Sequence, residues 1–264
     1  MERVASRDGT LIAYDRIGEG PAVILVTGAL SDRSVAVTLA PRLAGRFTVV
    51  AYDRRGRGDS GDTPPYAVDR EIEDLEAVIG QAGGSACVFG HSSGAALALE
   101  AAVRGLPITK LALYEPPYIV DDSRAPLPDE YVPTLQALVA EGRRGDAVEY
   151  FWRVGLLMPP EASAHMRNSP MWPAIEARAA SLPYDAEVMG DHMAGNALPA
   201  RWAAQVAIPT LVIDGGMSPA QLRNAAAAVA SLLPNARRVT LQDQGHGAPP
   251  EVLAPVLASF FQGG

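Results

Sequence analysis

Ala86-Cys87-Val88-Phe89-Gly90-His91-Ser92-Ser93-Gly94 is the stretch that decides how this chain is read. Its first four residues are apolar and read as a short buried strand. Gly90-His91-Ser92-Ser93-Gly94 then matches the pattern Gly-x-Ser-x-Gly, and residues 95–103, an alanine- and leucine-rich run, read as a helix. A strand, a sharp turn and a helix form the setting of a nucleophile elbow, where a strained turn aims the serine hydroxyl away from the sheet. The chain passes so close at such a turn that Gly90 and Gly94 have no room for side chains. The five-residue pattern alone is weak, because loops are rich in glycine and serine. Its place between a strand and a helix makes Ser92 the candidate nucleophile. Ser93 has a plainer use as a helix cap.

Outward from the elbow, apolar strands alternate with helical spacing. Residues 11–17 partly alternate and read as an edge strand. Residues 22–27 are a continuous apolar run, as expected of a strand covered on both faces. Residues 31–43 have helical spacing, and residues 47–52 form another buried strand. Residues 53–61 make a polar, glycine-rich loop, after which Asp69 is expected to cap a helix running to about Gln81. Beyond the elbow, residues 110–114 are a strand ending at Glu115 and stopped by Pro116-Pro117. The fold class is therefore α/β, a mostly parallel central sheet flanked by helices. From 118 to 205 the rhythm changes to helical segments near 129–141, 146–157, 171–180 and 186–193, broken by proline and glycine. The α/β pattern resumes at Pro209-Thr210-Leu211-Val212-Ile213-Asp214, followed by a helix over 219–232, a strand over 237–241 and a closing helix. The expected organisation is a core of residues 1–117 and 206–264, with residues 118–205 inserted as a helical cap.

Composition narrows the function. A hydrophobic content of 48% with 20% charged residues suits a globular protein with a full core. The net charge of −8 repels nucleic acid and anionic membranes, so neither is expected as a partner. Cys87 is the one cysteine, which excludes an intrachain disulfide and reads as a small core residue. No signal core precedes Asp8 and no apolar run spans a membrane, so a cytoplasmic location is expected. The loop at 53–60 mixes glycine with arginine but lacks the Gly-Lys-Ser/Thr ending of a phosphate loop. No cluster of cysteine, histidine and carboxylate has metal-ligand spacing, so no metal and no cofactor are expected. The expected partner is a small-molecule substrate, and assembly as a homodimer is left open.

A serine hydroxyl needs a base beside it. Of four histidines, His91 should point opposite to Ser92, while His165 and His192 lie in the helical block and read as surface or packed residues. His246 differs. It sits in a glycine-flanked loop directly after the last strand, at the carboxyl edge that also carries Ser92 and forms the usual ligand crevice of such sheets. It is the candidate base. The backbone N–H of Ser93, just after the nucleophile, is a candidate oxyanion donor.

These residues together resemble the α/β-hydrolase fold family over nearly the whole chain. The resemblance rests on Val26-Thr27-Gly28, residues 53–60, residues 90–94, residues 209–219 and Gly245-His246, in that order. It implies a second oxyanion donor at Ala29, with Leu30 as the fallback, and a structural turn at 53–60. It also implies an acid to orient the base. Many members carry an aspartate just before a proline after the penultimate strand, where this chain has Ser218-Pro219. A serine cannot balance an imidazolium. Glu115 and Asp214 are the substitutes. Certain haloalkane dehalogenases place their acid after the strand that here ends in Glu115, so Glu115 is preferred and Asp214 is the alternative acid. Asp243 is too close to His246 in sequence.

The helical block is rich in large apolar residues, among them Phe151, Trp152, Leu156, Met189 and Met193. Most must pack the block itself, but a lid of this kind encloses an apolar pocket. A small, largely apolar acyl or ester-like substrate is expected. Arg153, Arg167 and Arg178 read as solvated, and any of them is a carboxylate-binding candidate. The leading expectation is a serine hydrolase acting through a Ser92 acyl-enzyme. The alternatives are a non-hydrolytic enzyme of the same fold, such as a biosynthetic lyase or cyclase or a cofactor-free perhydrolase, and a ligand-binding receptor. Ser92 excludes the aspartate-nucleophile members.

Overall fold

Eight strands form one sheet in the order β1-β2-β4-β3-β5-β6-β7-β8. The strands are β1 (Glu2–Ala5), β2 (Leu11–Ile17), β3 (Ala22–Val26), β4 (Thr48–Tyr52), β5 (Ala86–His91), β6 (Ile108–Tyr114), β7 (Thr210–Gly215) and β8 (Ala236–Leu241). The computed structural model describes residues 1–263. The pairs β1–β2 and β2–β4 are antiparallel; all pairs from β4 through β8 are parallel. The six parallel strands therefore share one carboxyl edge, and the loops leaving it carry Gly28, Asp53, Ser92, Glu115 and the turn after Leu241.

The core helices are α1 (Ala40–Leu43), α2 (Val68–Gln81), α3 (Ser93–Val103), α10 (Ala220–Leu232) and α11 (Pro250–Gln262). Alternating side chains of each buried strand face opposite sides, so the sheet has two cores. Ile24, Val88, Leu111 and Val212 pack with α2, α3 and α10. Val23, Leu25, Phe89 and Leu211 pack with α1 and α11. Between β6 and β7 lie α4 (Tyr131–Ala140), α5 (Arg144–Tyr150), α6 (Pro160–Arg167), α7 (Trp172–Ala177), α8 (Leu182–Met189) and α9 (Trp202–Gln205). Several of these helices share a cluster of Tyr131, Leu135, Val148, Trp152 and Leu182, against which Ala29 and Leu30 of the β3 loop also pack. Among the described residues, no helix is long and apolar enough to cross a membrane.

Local chemistry explains the departures from the sequence reading. β1 is short and largely exposed, and exists through its pairing with β2 rather than through its own apolar pattern. The helix expected over 31–43 is broken into a 3₁₀ turn (Arg33–Val37) and α1. The Asp32 carboxylate accepts from Ser34 N at 2.9 Å and nucleates the first turn, while Pro41 has no N–H to carry a helix through. α2 starts two residues earlier than expected, with Ala67 as its N-cap, so Asp69 sits in the first turn and pairs with Arg104 at 3.1 Å instead of capping. Helix α6 begins on Pro159-Pro160, a stretch that reads as a break, because proline is well suited to a first helical turn.

Candidate active site

β5 lies between β3 and β6, so the turn at its end is braced on both sides. Ser92 has φ 57° and ψ −127°, a conformation that costs on the order of 1–3 kcal/mol for a residue with a side chain. The close approach expected at the flanking glycines is there: a Cβ on Gly90 would lie 2.4 Å from Gly94 O, and one on Gly94 2.4 Å from Val26 O. Leu30 (φ 54°) and Glu115 (φ 48°) are also left-handed. Three of the left-handed non-glycine residues thus fall on this turn and on the loops after β3 and β6 that flank it.

Ser92 and His246 line the same cavity of about 230 Å³. The Ser92 hydroxyl makes no hydrogen bond to a described residue. Behind His246 lies Glu115, fully buried, whose Oε2 accepts from His246 Nδ1 at 2.6 Å while Oε1 accepts from Gly215 N at 2.7 Å. That contact places the proton on Nδ1 and leaves Nε2 as the basic nitrogen. Asp214, equally buried, is turned the other way: Arg238 donates to both of its oxygens at 2.7 and 2.8 Å and Thr240 Oγ1 adds a contact at 3.1 Å. The two candidate acids therefore do different things, and the difference lies in which way each strand end faces. Ser218 is buried, and its hydroxyl has no partner.

The loop carrying His246 is held by its backbone. His91 Nε2 donates to His246 O at 2.6 Å, Tyr114 Oη donates to Gly245 O, and Met217 N donates to Gln244 O at 2.9 Å. His91 itself lines a separate cavity on the far side of the elbow. Burial, reinforced by the His246 ring beside it, pushes its pKa down to about 4, so it is neutral.

Residues 23–256 match the model of the alpha/beta hydrolase family. The chain belongs to that family. An alpha/beta hydrolase from Sphaerobacter thermophilus is 58% identical and superposes with a TM-score of 0.92, covering 98% of this chain and all of its own. An esterase from Exiguobacterium antarcticum, 18% identical with a TM-score of 0.72 and 98% of both chains covered, shares the fold. Two curated relatives match shorter stretches. N-formylmaleamate deformylase of Pseudomonas putida is 38% identical over 104 residues, 38% of this chain and 39% of its own. The uncharacterized hydrolase YraK of Bacillus subtilis is 35% identical over 100 residues, 36% and 37% of the two chains. The matched stretches thus span about two fifths of those curated relatives.

In this alpha/beta hydrolase, Ala29 and Ser93 also line the cavity with Ser92. Ser93 N opens α3 and has no intrahelical acceptor, the usual state of a first-turn amide. The Ser93 hydroxyl does not cap that helix. It donates to Asp185 Oδ1 of α8 at 2.7 Å. The same oxygen accepts from Arg54 Nη1 at 2.8 Å and Arg57 Nη2 at 2.7 Å. Arg54 is further clamped by Glu71 at 2.6 and 2.7 Å, and Arg57 Nη1 donates to Gly28 O at 2.6 Å. Burial works to raise the Asp185 pKa, but the charges of Arg57 and Arg54 and the Ser93 hydroxyl outweigh it and hold the carboxyl below its ordinary value. The turn at 53–60 is thus structural in an unexpected way. Its arginines are buried, and they tie the helical insertion to the elbow and to the loop bearing Ala29.

The cavity's outer wall comes from the insertion: Phe151, Leu156, Leu182, Met189 and Met193. Trp152, Met158, Met166 and Trp172 instead pack the insertion itself. His192 meets Trp202 edge-to-face and lies 3.9 Å from Glu100, and His165 is exposed on α6. Of the arginine candidates, Arg167 pairs with Glu149 at 2.7 Å and Arg178 with Asp32 at 2.6 Å, while Arg153 lines a different groove. None lines the cavity. Arg124 and Tyr131, which the sequence reading did not single out, do. Neither belongs to a motif; only the path of the chain after Pro116-Pro117 brings them there.

Proposed function

We propose that this alpha/beta hydrolase is a serine hydrolase that cleaves an ester, thioester, lactone or similar acyl bond through a Ser92 acyl-enzyme. The observation that carries the reading is the 2.6 Å contact of His246 Nδ1 with buried Glu115, beside a cavity that His246 shares with the strained Ser92. Ser92 Oγ attacks the acyl carbonyl as His246 Nε2 takes its proton. Glu115 holds the imidazole in the required tautomer and balances the imidazolium. The N–H groups of Ala29 and Ser93 bind the developing oxyanion, each worth roughly 3–4 kcal/mol in the transition state. His246 then passes the proton to the leaving group, and water, activated by the same nitrogen, releases the acid. Residues 118–205 act as a cap whose apolar wall suits a small acyl substrate and excludes water from the acyl-enzyme.

Labelling with a fluorophosphonate, mapped by mass spectrometry, tests this. The adduct is expected on Ser92 and is expected to vanish in His246→Ala. A panel of phenyl esters of rising chain length then measures the pocket. Labelling at another residue, or none, defeats the reading.

A further inference from the structure

Apart from the reacting residues, the cavity wall is largely apolar and carries two charged side chains: Asp185, which is neutralised by Arg54 and Arg57, and Arg124, which has no such partner. Arg124 lies in the chain between β6 and α4, lines the cavity and is only partly exposed. Its Nη1 donates to Gly155 O at 2.7 Å, Nη2 to Val154 O at 3.0 Å and Nε to Ala125 O at 3.3 Å. All three acceptors are neutral carbonyls. A guanidinium has five N–H donors, so two remain. No carboxylate lies within ion-pair distance of Arg124 among the described residues, whereas Arg54, Arg55 and Arg57, which are more deeply buried, all have one. Burial lowers the Arg124 pKa, with only the Tyr131 phenol opposing it. Nothing brings the charge back to neutrality.

Tyr131 is the second observation. Its side chain is buried at 5% exposure and lines the same cavity, yet its hydroxyl makes no hydrogen bond to a described residue. That hydroxyl lies beside Gly155, where a Cβ would sit 2.5 Å from it, and Gly155 O is the carbonyl that Arg124 holds. A partly buried cation without a counter-charge and a cavity-facing hydroxyl without a protein partner, on an otherwise buried side chain, therefore converge on one wall. Buried polar groups are normally satisfied, and an unsatisfied pair facing a cavity is satisfied by what enters it.

We infer that Arg124 and Tyr131 form a carboxylate subsite, so that the substrate is an acyl compound bearing one carboxylate remote from the scissile bond. The inference rests on the reading of Ser92 as nucleophile and narrows its substrate class. One guanidinium balances one negative charge, and its planar donors match a carboxylate. The apolar wall between this subsite and Ser92 takes the connecting carbons. Arg124 also ties the end of the π-helical turn Phe151–Gly155 through its two carbonyl contacts. A purely structural strut would account for those contacts but not for the remaining donors or for Tyr131.

The test compares esters that differ only in the distal group: monophenyl glutarate and adipate against phenyl pentanoate and hexanoate, where a methyl replaces the carboxylate. Wild-type kcat/KM is expected to favour the hemiesters at least about tenfold, from hydrogen bonds to a charged group. Arg124→Gln is expected to cut that ratio by about 100-fold, mostly through KM, Arg124→Lys to restore part of it, and Tyr131→Phe to reduce it a few-fold. A wild-type ratio at or below unity overturns the inference and needs no variant. So does a ratio that survives Arg124→Gln, or a variant that loses both ester types equally, which marks a strut. Failure of every ester together with absent Ser92 labelling is the separate failure of the serine-hydrolase reading.

Discussion

His91 stands one residue before the candidate nucleophile, and its ring points away from it, as expected from its position in the motif. Alternation along β5 sends it away from Ser92 to the underside of the base loop, where it donates to His246 O. This much was legible from strand periodicity. Its pKa of about 4 was not, because it depends on burial and on a ring 155 positions away. The consequence is a pH effect. An unfolded chain takes up a proton near pH 6.5, and the folded chain keeps this site neutral down to about 4. Between those values the unfolded state binds more protons, so stability is full above the window and declines as the pH falls through it, by at most about 1.4 kcal/mol per pH unit from this group. Denaturant midpoints measured from pH 7 to pH 4 should show the decline, and His91→Gln should flatten it. An unchanged slope in the variant would assign the acid sensitivity to other groups. Glu115 and Asp214 make the same point about legibility. The sequence puts a carboxylate at each of two adjacent strand ends. It does not say which faces the base loop and which faces Arg238, since the left-handed backbone at Glu115 is a product of the assembled sheet.

At the scale of elements, the apolar strands, the elbow and α3 were readable because burial on both faces leaves continuous hydrophobic runs. The helical insertion was readable only as a change of rhythm. Its boundaries follow proline placement and tertiary packing: helix α8 starts at Leu182 rather than 186, and α5 passes into a π-helical turn. What joins the insertion to the sheet was invisible, since Arg54, Arg57 and Asp185 are ordinary surface-type residues in sequence. Their burial makes Asp185 the point at which α8 is fastened to the elbow. Replacing it with alanine leaves the buried Arg57 guanidinium without a carboxylate and takes one of two carboxylates from Arg54, which keeps Glu71, at an expected cost of about 3–5 kcal/mol. Asp185→Ala should show this as a lower midpoint in chemical denaturation, with faster proteolysis in 118–205. A loss below about 1 kcal/mol would mean that water or Glu71 compensates.

For the whole molecule, the parallel sheet sets where the candidate site lies. Six strands deliver their loops to one edge, so residues 29, 92, 115 and 246, far apart along the chain, meet around one cavity. The order of the motifs made this meeting predictable, whereas the cavity's charged wall at Arg124 was not, because no motif marks it. Groups that act as one unit lose their effect together. The most direct measurement is kcat/KM on a phenyl ester for Glu115→Gln, His246→Ala and the double variant, with Asp214→Asn as reference. If Ser92, His246 and Glu115 are a single device, Glu115→Gln loses up to about 10⁴-fold, and the double variant is scarcely worse than His246→Ala. Near-full activity in Glu115→Gln, or losses that multiply in the double variant, would contradict the account.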